Sequence, residues 1–350
     1  MMSLNIIRQL IIMVFWKSMP LDYIWKLYNN ASIFQSLIFD KDDIILNKLD
    51  QYTISFINTS NHNHDTHKLA QISEFLCNYF KKSTNSPILY IKPSELLDKN
   101  ETTFMITIET DNIIIGCIRY KYIGNFATTT NKIYNIDCFC IHPQWRKKGI
   151  GDMLLTTLHK YVNKNDIPYS IFLKEGNKLG IIHQPTYSGT YVYREINYYK
   201  TNDIHKINPT KADKIVTYFQ ELSNNSLFVI FNPNNTSNQE WYLYVNPHNK
   251  LEKILVCFQD TYQHFSTDKD KTIHKIAWGT AWFETNIKDE IRKEAIKQFI
   301  SCLYPKYKYV WMNKVWIDDI TGWICDGDFQ WYLYQWNTSI TIKRNYGTIL

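Results

Sequence analysis

The chain has 350 residues and a mass of 41.8 kDa, and its composition is 45% hydrophobic and 21% charged. This balance is typical of a globular protein and excludes wholesale disorder. The low counts of glycine (11) and proline (10) exclude collagen-like and low-complexity classes. At roughly 100–200 residues per domain, the length predicts two domains or one large one.

The net charge is +6 and the sequence pI is about 8.7, with lysines scattered rather than clustered. This pattern does not favour a nucleic-acid partner, but it is sufficient for one phosphorylated ligand. The cysteine count of seven is odd and no CxxC occurs, so we expect no disulfide framework, no metal site and a reducing, cytoplasmic location. An excess of Lys, Asn, Ile and Tyr is typical of an AT-rich genome, such as that of a parasite or large DNA virus. The apolar stretch at residues 10–16 is too short to span a bilayer.

The first half of the chain alternates strand and helix signals. Apolar residues at helical spacing predict a helix over residues 69–80. Strand-like runs at 103–109 and 113–122 flank the turn-forming pair Asp111 and Asn112, which predicts a β-hairpin. A third strand over 133–141 is followed by a glycine-containing loop, a helix with apolar positions 150, 154, 158 and 161, and a strand over 169–173.

The second half repeats this order of elements. Helices are predicted over 212–222 and 289–303, and strands over 227–231, 241–245, 254–258, 276–283, 307–312 and 329–336. The halves therefore look like two copies of one α/β unit. The junction near residues 199–209 predicts domains at 1–199 and 200–350.

The loop after the third strand reads R-K-K-G-I-G at residues 146–151. Glycines between a strand and a helix let backbone N–H groups approach a pyrophosphate, and the helix N-terminus adds a partial positive charge. The three basic side chains add further charge. This loop resembles the acyl-CoA loop of GNAT acetyltransferases.

Several segments resemble eukaryotic protein N-myristoyltransferases, in the order in which that family carries them. N-I-D-C-F-C-I-H at 135–142 is similar to the family's E-I-N-F-L-C-V-H, and D-G-D-F-Q-W-Y-L-Y-Q-W at 326–336 to D-G-N-L-Q-Y-Y-L-Y-N-W. F-W-K-S-M-P at 15–20, the N-Y at 78–79, P-I-L-Y-I-K-P-S-E-L-L at 87–97 and S-G-T-Y-V-Y-R-E-I-N at 188–197 match further segments. Fourteen residues follow Trp336, which is about the tail length of the family.

The resemblance implies two tandem GNAT-like α/β halves related by a pseudo-two-fold axis. It implies an acyltransferase that moves a myristoyl chain from myristoyl-CoA to the N-terminal glycine of proteins. The backbone N–H groups of Cys138 and Phe139 would form an oxyanion hole, which requires a bulged strand. The main-chain carboxylate of Leu350 would act as the base.

The resemblance also assigns two sets of binding residues. The first would hold the acyl-CoA: Phe15, Trp16, Phe139, Ile141, Arg146, Lys147, Lys148, Gly149, Ile150 and Gly151. The second would line the peptide groove: Tyr79, Tyr90, Leu173, Tyr191, Asp326 and Gly327.

Four positions depart from the family pattern. Asp137 replaces an Asn and Leu173 replaces a Thr, and both family residues help to place the substrate glycine. An aspartate still holds an ammonium and is the next candidate for the base, whereas a leucine cannot hydrogen-bond. Lys81 and Lys82 stand where the family carries acids, which predicts no preference for basic peptides.

Two alternatives remain open at this point: an acetyltransferase with a short acyl pocket, and a catalytically silent module that binds acyl-CoA or peptide. Asp137 and Leu173 favour the silent module, and the intact tail favours the N-myristoyltransferase. The expected partners are proteins with an N-terminal glycine. We expect no nucleic acid, at most peripheral membrane contact, and a monomer.

Overall fold

The computed structural model describes most of the chain in segments separated by gaps. They are residues 35–36, 51–59, 65–80, 88–97, 103–126, 132–164, 169–177, 185, 187–222, 229–231, 239–266, 273–317, 319–334, 336–337 and 348–349.

The helices and strands of the first half confirm most of the predicted elements. The helices are α1 (Thr66–Tyr79), α2 (Pro93–Leu96) and α3 (Ile150–Lys164). The strands are β1 (Gln35–Ser36), β2 (Thr53–Asn58), β3 (Ile88–Leu89), β4 (Phe104–Thr110), β5 (Ile113–Phe126), β6 (Lys132–Ile141), β7 (Ser170–Glu175) and β8 (Tyr187–Glu195).

The second half follows the same plan. Its helices are α4 (Pro209–Leu222) and α5 (Asp289–Ser301). Its strands are β9 (Ile204–Ile207), β10 (Val229–Phe231), β11 (Gln239–Val245), β12 (Lys253–Ser266), β13 (Ile273–Glu284), β14 (Tyr309–Asn313), β15 (Ile324–Tyr334), β16 (Trp336–Asn337) and β17 (Thr348–Ile349).

One 15-stranded sheet runs through the described part of the molecule. Its main path has the order β17-β10-β5-β6-β7-β15-β8-β14-β13-β12-β11-β9. Strand β4 pairs with β5 and β2 pairs with β4, while β3 pairs with β12. In each half an antiparallel meander ends in a parallel pair connected through a helix, β6-α3-β7 and β13-α5-β14. The mixed α/β class and the two similar halves predicted from the sequence are confirmed.

The last strand of each half lies in the other half. Strand β15, near the end of the chain, pairs antiparallel with β7 of the first half, and β8 pairs antiparallel with β14 of the second. The two exchanged strands also pair with each other. Gly189 allows their close approach, because a Cβ at this position would lie 2.6 Å from the ring of Phe329. The C-terminal strand β15 therefore lies in the first half, and the reciprocal transfer of β8 was not predicted.

Helices α1 and α3 cover opposite faces of the first meander. Alternating residues of β4 divide between the two faces: Phe104 packs in the α3 cluster and Met105 in the α1 cluster. The same alternation along β6 puts Cys138 in the α1 cluster, while Phe139 packs against the α3 cluster. Because both faces are covered, the first six residues of β4 are all buried, including the polar Thr107 and Glu109.

Local sequence signals account for several boundaries. The α1 helix begins after Asp65, whose carboxylate accepts a hydrogen bond of 2.9 Å from the Lys68 N–H and so caps the helix. The β4–β5 hairpin turns at Asp111 and Asn112, both at positive φ (51° and 63°), as a two-residue hairpin turn requires. No helix in the described part of the chain is long and apolar enough to cross a membrane.

The strand exchange predicts that neither half folds alone. Fragment 1–199 has β8 without its partners β14 and β15, and fragment 200–350 has β15 without β7 and β8. Unpaired strand edges expose backbone polar groups and apolar side chains. We expect each fragment, expressed alone, to lack dispersed amide resonances and cooperative unfolding, and the two co-expressed fragments to assemble into a folded complex. A single fragment that unfolds cooperatively by itself would contradict this.

Candidate active site

The site begins at a bulge in β6. Residue Cys117 pairs with Cys140 and Arg119 pairs with Asp137, so Ile118 alone on β5 faces both Cys138 and Phe139 on β6. Cys138 has a φ of 50°, in the left-handed region that a non-glycine residue rarely adopts. A bulge of this type breaks the alternation of backbone N–H directions, so that consecutive groups are no longer forced to opposite sides.

The same strand separates from its parallel neighbour just before the bulge. Strands β6 and β7 are paired at three positions, ending with Ile136 and Phe172. Beyond this point β7 continues beside β15 on its other edge, and β6 continues toward Ile141 beside β5. A wedge-shaped opening therefore lies between β6 and β7. Asp137 and Leu173, the residues next after the last pair, flank its apex.

The helix that follows β6 presents backbone donors at its start. The N–H of Met153 donates to the Gly149 carbonyl at 3.0 Å, so the N–H groups of residues 149–152 have no acceptor within the helix. Gly149 has a φ of 86°, and Lys147 has one of 63°. At Gly151 a Cβ would lie 3.0 Å from Ile141 and 3.3 Å from Phe139, so this glycine lets the helix start lie close to β6.

Two of the three predicted basic residues of the loop have protein partners. The Arg146 guanidinium donates to the carbonyls of Ile141 (3.2 Å) and Tyr79 (3.5 Å), which connects the loop to β6 and to the end of α1. The Lys148 ammonium lies 4.8 Å from the ring centre of Trp145. Both side chains are exposed, as is Lys147, so the three charges surround the glycine loop at the surface.

An ion pair lies beside the bulge. The Arg119 guanidinium donates to both carboxylate oxygens of Asp137, at 2.6 and 2.7 Å. Burial acts to lower the pKa of Arg119, but Asp137, together with Cys138 and Tyr262, raises it overall, so the guanidinium stays charged although Arg119 is only 6% exposed. Sequence reasoning missed Arg119, although it is one of six arginines and interrupts the apolar pattern of β5.

The thiols near the bulge are not nucleophiles. Cys138 and Cys140 are free and buried on the α1 face, and burial raises the pKa of each thiol to about 12. Such thiols remain protonated at neutral pH. Both side chains belong to the buried α1 cluster. Among the described residues, no group of three or more His, Cys, Asp or Glu could hold a metal ion.

The predicted groove residues occupy three places. Tyr79 ends α1 with its ring 4.5 Å from that of His142, beside the glycine loop. Tyr90 is exposed, and its N–H donates to the Tyr262 carbonyl at 2.7 Å, where the first half meets β12.

The remaining groove residues lie along the exchanged strands. Tyr191 of β8 pairs with Gly327 of β15 and stacks on Phe329 at 3.9 Å. Asp326 is the extra residue of a bulge in β15 beside this pair. Leu173 pairs with Trp331 and packs against the same aromatic cluster. These residues share one region next to the wedge, and their role in peptide binding stays a prediction.

Some predicted residues lie outside the described segments: Phe15, Trp16, Lys81, Lys82 and Leu350. Their roles stay predictions. The two residues before the last form β17, which pairs with β10, and β10 pairs with the end of β5 at Phe126.

The second half has an equivalent wedge that differs chemically. Strands β13 and β14 part after Trp278 and Trp311, and β13 carries an extra residue at Thr280. Trp282 of β13 stacks on Trp316, which directly follows β14, with ring centres 6.4 Å apart. Helix α5 begins with Asp289 and Glu290 rather than with a basic glycine loop. These features favour the first half as the place for an anionic ligand.

Comparisons with known proteins agree with this geometry. Residues 54–179 match the acetyltransferase (GNAT) family, and this segment contains the bulge and the glycine loop. No curated protein matches the sequence.

Solved structures of Saccharomyces cerevisiae N-myristoyltransferase with bound myristoyl-CoA are similar over almost the whole chain. One has a TM-score of 0.69 at 13% identity and covers 96% of this chain and 98% of that one. A second has a TM-score of 0.70 at 13% identity, with coverages of 96% and 94%. A third, which also contains inhibitors, has a TM-score of 0.67 at 13% identity, with coverages of 94% and 99%. The chain has the two-halved fold of these structures and carries a GNAT domain in its first half.

The left-handed conformation at Gly149 gives a direct test of the loop. A Gly149→Ala variant has free space around its Cβ, so its cost is the strain of about 1–2 kcal/mol for an L-residue at positive φ. Relaxing that strain turns the N–H groups at the helix start, so we expect weaker CoA binding by calorimetry. Gly322→Ala is the matched control, because Gly322 has a φ of 78° in a turn before β15. Equal CoA affinities for the two variants would contradict an anion site at the loop.

Proposed function

We propose that this protein is an N-myristoyltransferase-like acyltransferase, which moves a long acyl chain from acyl-CoA to the N-terminal glycine of proteins. The observation that carries the proposal is the bulge at Cys138 and Phe139, which opens a wedge next to a glycine-containing helix start. The GNAT match over residues 54–179 and the likeness to the yeast structures support it.

The acyl-CoA substrate would lie along the open edge of β6. Its pyrophosphate would accept hydrogen bonds from the N–H groups at the start of α3, with Lys147 and Lys148 adding positive charge. Its pantetheine arm would lie along the backbone of Phe139 and Ile141. The thioester carbonyl would then reach the N–H groups of Cys138 and Phe139.

The reaction would be a direct transfer. The neutral glycine amine attacks the thioester carbon, the carbonyl oxygen becomes an oxyanion held by the two N–H groups, and the C–S bond breaks to release CoA thiolate. The amine gives up one proton to form the amide. Since the nearby thiols of Cys138 and Cys140 stay protonated, an acyl-cysteine intermediate is not part of this scheme.

The base would be the main-chain carboxylate of Leu350. A free carboxylate has a pKa of about 3.5 and an α-ammonium one of about 7.8, so proton transfer in water is uphill by about 6 kcal/mol. Burial narrows this gap, because desolvation raises the pKa of the acid and lowers that of the ammonium. Asp137 is a weaker candidate, since both of its oxygens accept hydrogen bonds from Arg119.

The long acyl chain would lie on the α3 side of β6. Ile136 and Leu154 belong to the buried cluster on this face, and Phe139 and Ile141 pack against it. Proteins with an N-terminal glycine in the cytoplasm are the proposed acceptors, and the enzyme would work as a monomer without nucleic acid and with at most peripheral membrane contact.

A silent acyl-CoA-binding module is the second candidate. Leu173 favours it, because a leucine at the apex of the wedge cannot hydrogen-bond an acceptor amine. Product formation from acyl-CoA and a glycine peptide, followed by mass spectrometry, separates the two candidates. Binding of acyl-CoA without product would support the module.

The affinity for acyl-CoA should rise strongly with the length of the acyl chain. Burying methylenes contributes about 0.8 kcal/mol each, so a fourteen-carbon chain has a ceiling of about 10 kcal/mol. We expect myristoyl-CoA to bind at least a hundredfold more tightly than acetyl-CoA, measured by native mass spectrometry or calorimetry. Equal affinities would instead favour an acetyltransferase with a short pocket.

Moving the terminal carboxylate should abolish transfer but not binding. Deleting Leu350, or adding three glycines after it, displaces the carboxylate by several ångströms, and proton transfer needs hydrogen-bond reach. We expect kcat to fall at least a hundredfold while the Kd for acyl-CoA stays within about threefold. Leu350→Met, which keeps the carboxylate in place, is the control. Unchanged kcat in the deleted and extended proteins would exclude Leu350 as the base.

A further inference from the structure

A buried guanidinium–carboxylate pair occupies the residue positions next to the proposed oxyanion hole. Arg119 on β5 lies directly opposite Asp137 on β6. These two residues form the last regular pair before the bulge. The contact is bidentate, with Nε–Oδ1 at 2.6 Å and Nη2–Oδ2 at 2.7 Å. Arg119 is almost fully buried, whereas the Asp137 side chain is 27% exposed at the apex of the wedge.

Other groups around Asp137 are weaker partners. The Asn135 amide approaches one carboxylate oxygen at 3.5 Å, and the Cys138 thiol donates to the same side chain. The Lys121 charge acts on Cys138 from β5, and Tyr262 acts on Arg119 from β12. Arg119 is thus the cation in bidentate contact with this carboxylate.

We infer that Arg119 is a positioning residue that neutralises Asp137, so that the acceptor amine entering the wedge is not held as an ammonium. The inference rests on the proposed function, since it places the acceptor amine beside Asp137. The two charges cancel at the apex, where a lone carboxylate would otherwise face the amine.

Loss of the Arg119 charge should raise the pKa of the acceptor amine. An unpaired carboxylate within reach of an amine favours the charged ammonium and raises its pKa. The ammonium cannot attack the thioester, so transfer would then require a higher pH. With Arg119 in place, Asp137 still accepts a hydrogen bond from the amine without fixing its charge, and deprotonation occurs closer to neutral pH.

Three variants separate charge neutralisation from packing. Arg119→Gln leaves the carboxylate without a counter-ion, Arg119→Lys keeps the charge but loses the bidentate geometry, and the double variant Arg119→Gln/Asp137→Asn removes both charges. The measurement is kcat against pH for a glycine peptide at saturation, with melting temperature and acyl-CoA affinity as checks on the fold.

We expect the midpoint of the rise of kcat with pH to move upward by about one unit in Arg119→Gln. It should stay within about 0.3 units of the parent in Arg119→Lys and in the double variant. A parental midpoint in Arg119→Gln, or an upward shift that persists in the double variant, would overturn the inference. If Arg119→Gln does not fold, Arg119→Met takes its place, because it also leaves Asp137 without a counter-ion and must show the same upward shift.

Failure of the proposed function is a separate result. If the parent transfers no acyl group to any glycine peptide, the transferase proposal fails by itself. The same pH comparison is then made on peptide binding to the acyl-CoA-loaded protein. Tighter binding of the ammonium form by Arg119→Gln than by the parent and by Arg119→Lys supports the neutralising role, and equal binding overturns it.

Discussion

The parting of β6 from β7 is the constraint on which the rest of the site depends. Two parallel strands with matched pleats continue pairing unless one of them changes direction. In β6 the extra residue at the bulge makes that change directly after the last pair, Ile136 and Phe172. The backbones of the two strands then flank a common space. In the proposed function, the pantetheine arm would lie there.

The strand exchange fixes the other wall of this space. Along its whole length, β7 pairs on its other edge with β15 from the distant end of the chain. Strand β15 also pairs with β8, so the seam between the halves is a continuous hydrogen-bonded sheet rather than a contact of two surfaces. Aromatic stacking of Tyr191 on Phe329 fills the face of that seam. The rigidity of the wedge therefore comes from both halves of the chain, and its chemistry from the first.

Local patterns in the sequence predicted the helices and strands around the site. They could not predict which strands that are distant in the sequence pair with each other. Helix α1, the β4–β5 hairpin and the start of α3 follow from apolar periodicity, turn residues and glycines within short windows. The transfer of β8 to β14 depends on partners more than 100 residues apart, as in the pair Val310 and Arg194. The bulge was required by the oxyanion-hole argument, yet the residue at positive φ is a cysteine, which carries no turn signal. Arg119 was missed for a related reason, since a basic residue within a strand pattern reads as a solvent-facing position until its partner strand is known.

The two wedges have a similar backbone arrangement but carry different side chains. Both halves part their parallel strands and carry an extra residue on the strand before the helix. In the second half, Trp282 of β13 stacks on Trp316, which lies in the turn after β14, and both belong to the buried core of that half. Its helix begins with acids, one of which, Asp289, pairs with Arg292, and these acids oppose rather than assist phosphate binding at the helix N-terminus. The first half has Gly149 and Gly151 at the start of the equivalent helix. Side-chain size and charge at the two helix starts, and not the course of the backbone, therefore decide which half can receive an acyl-CoA.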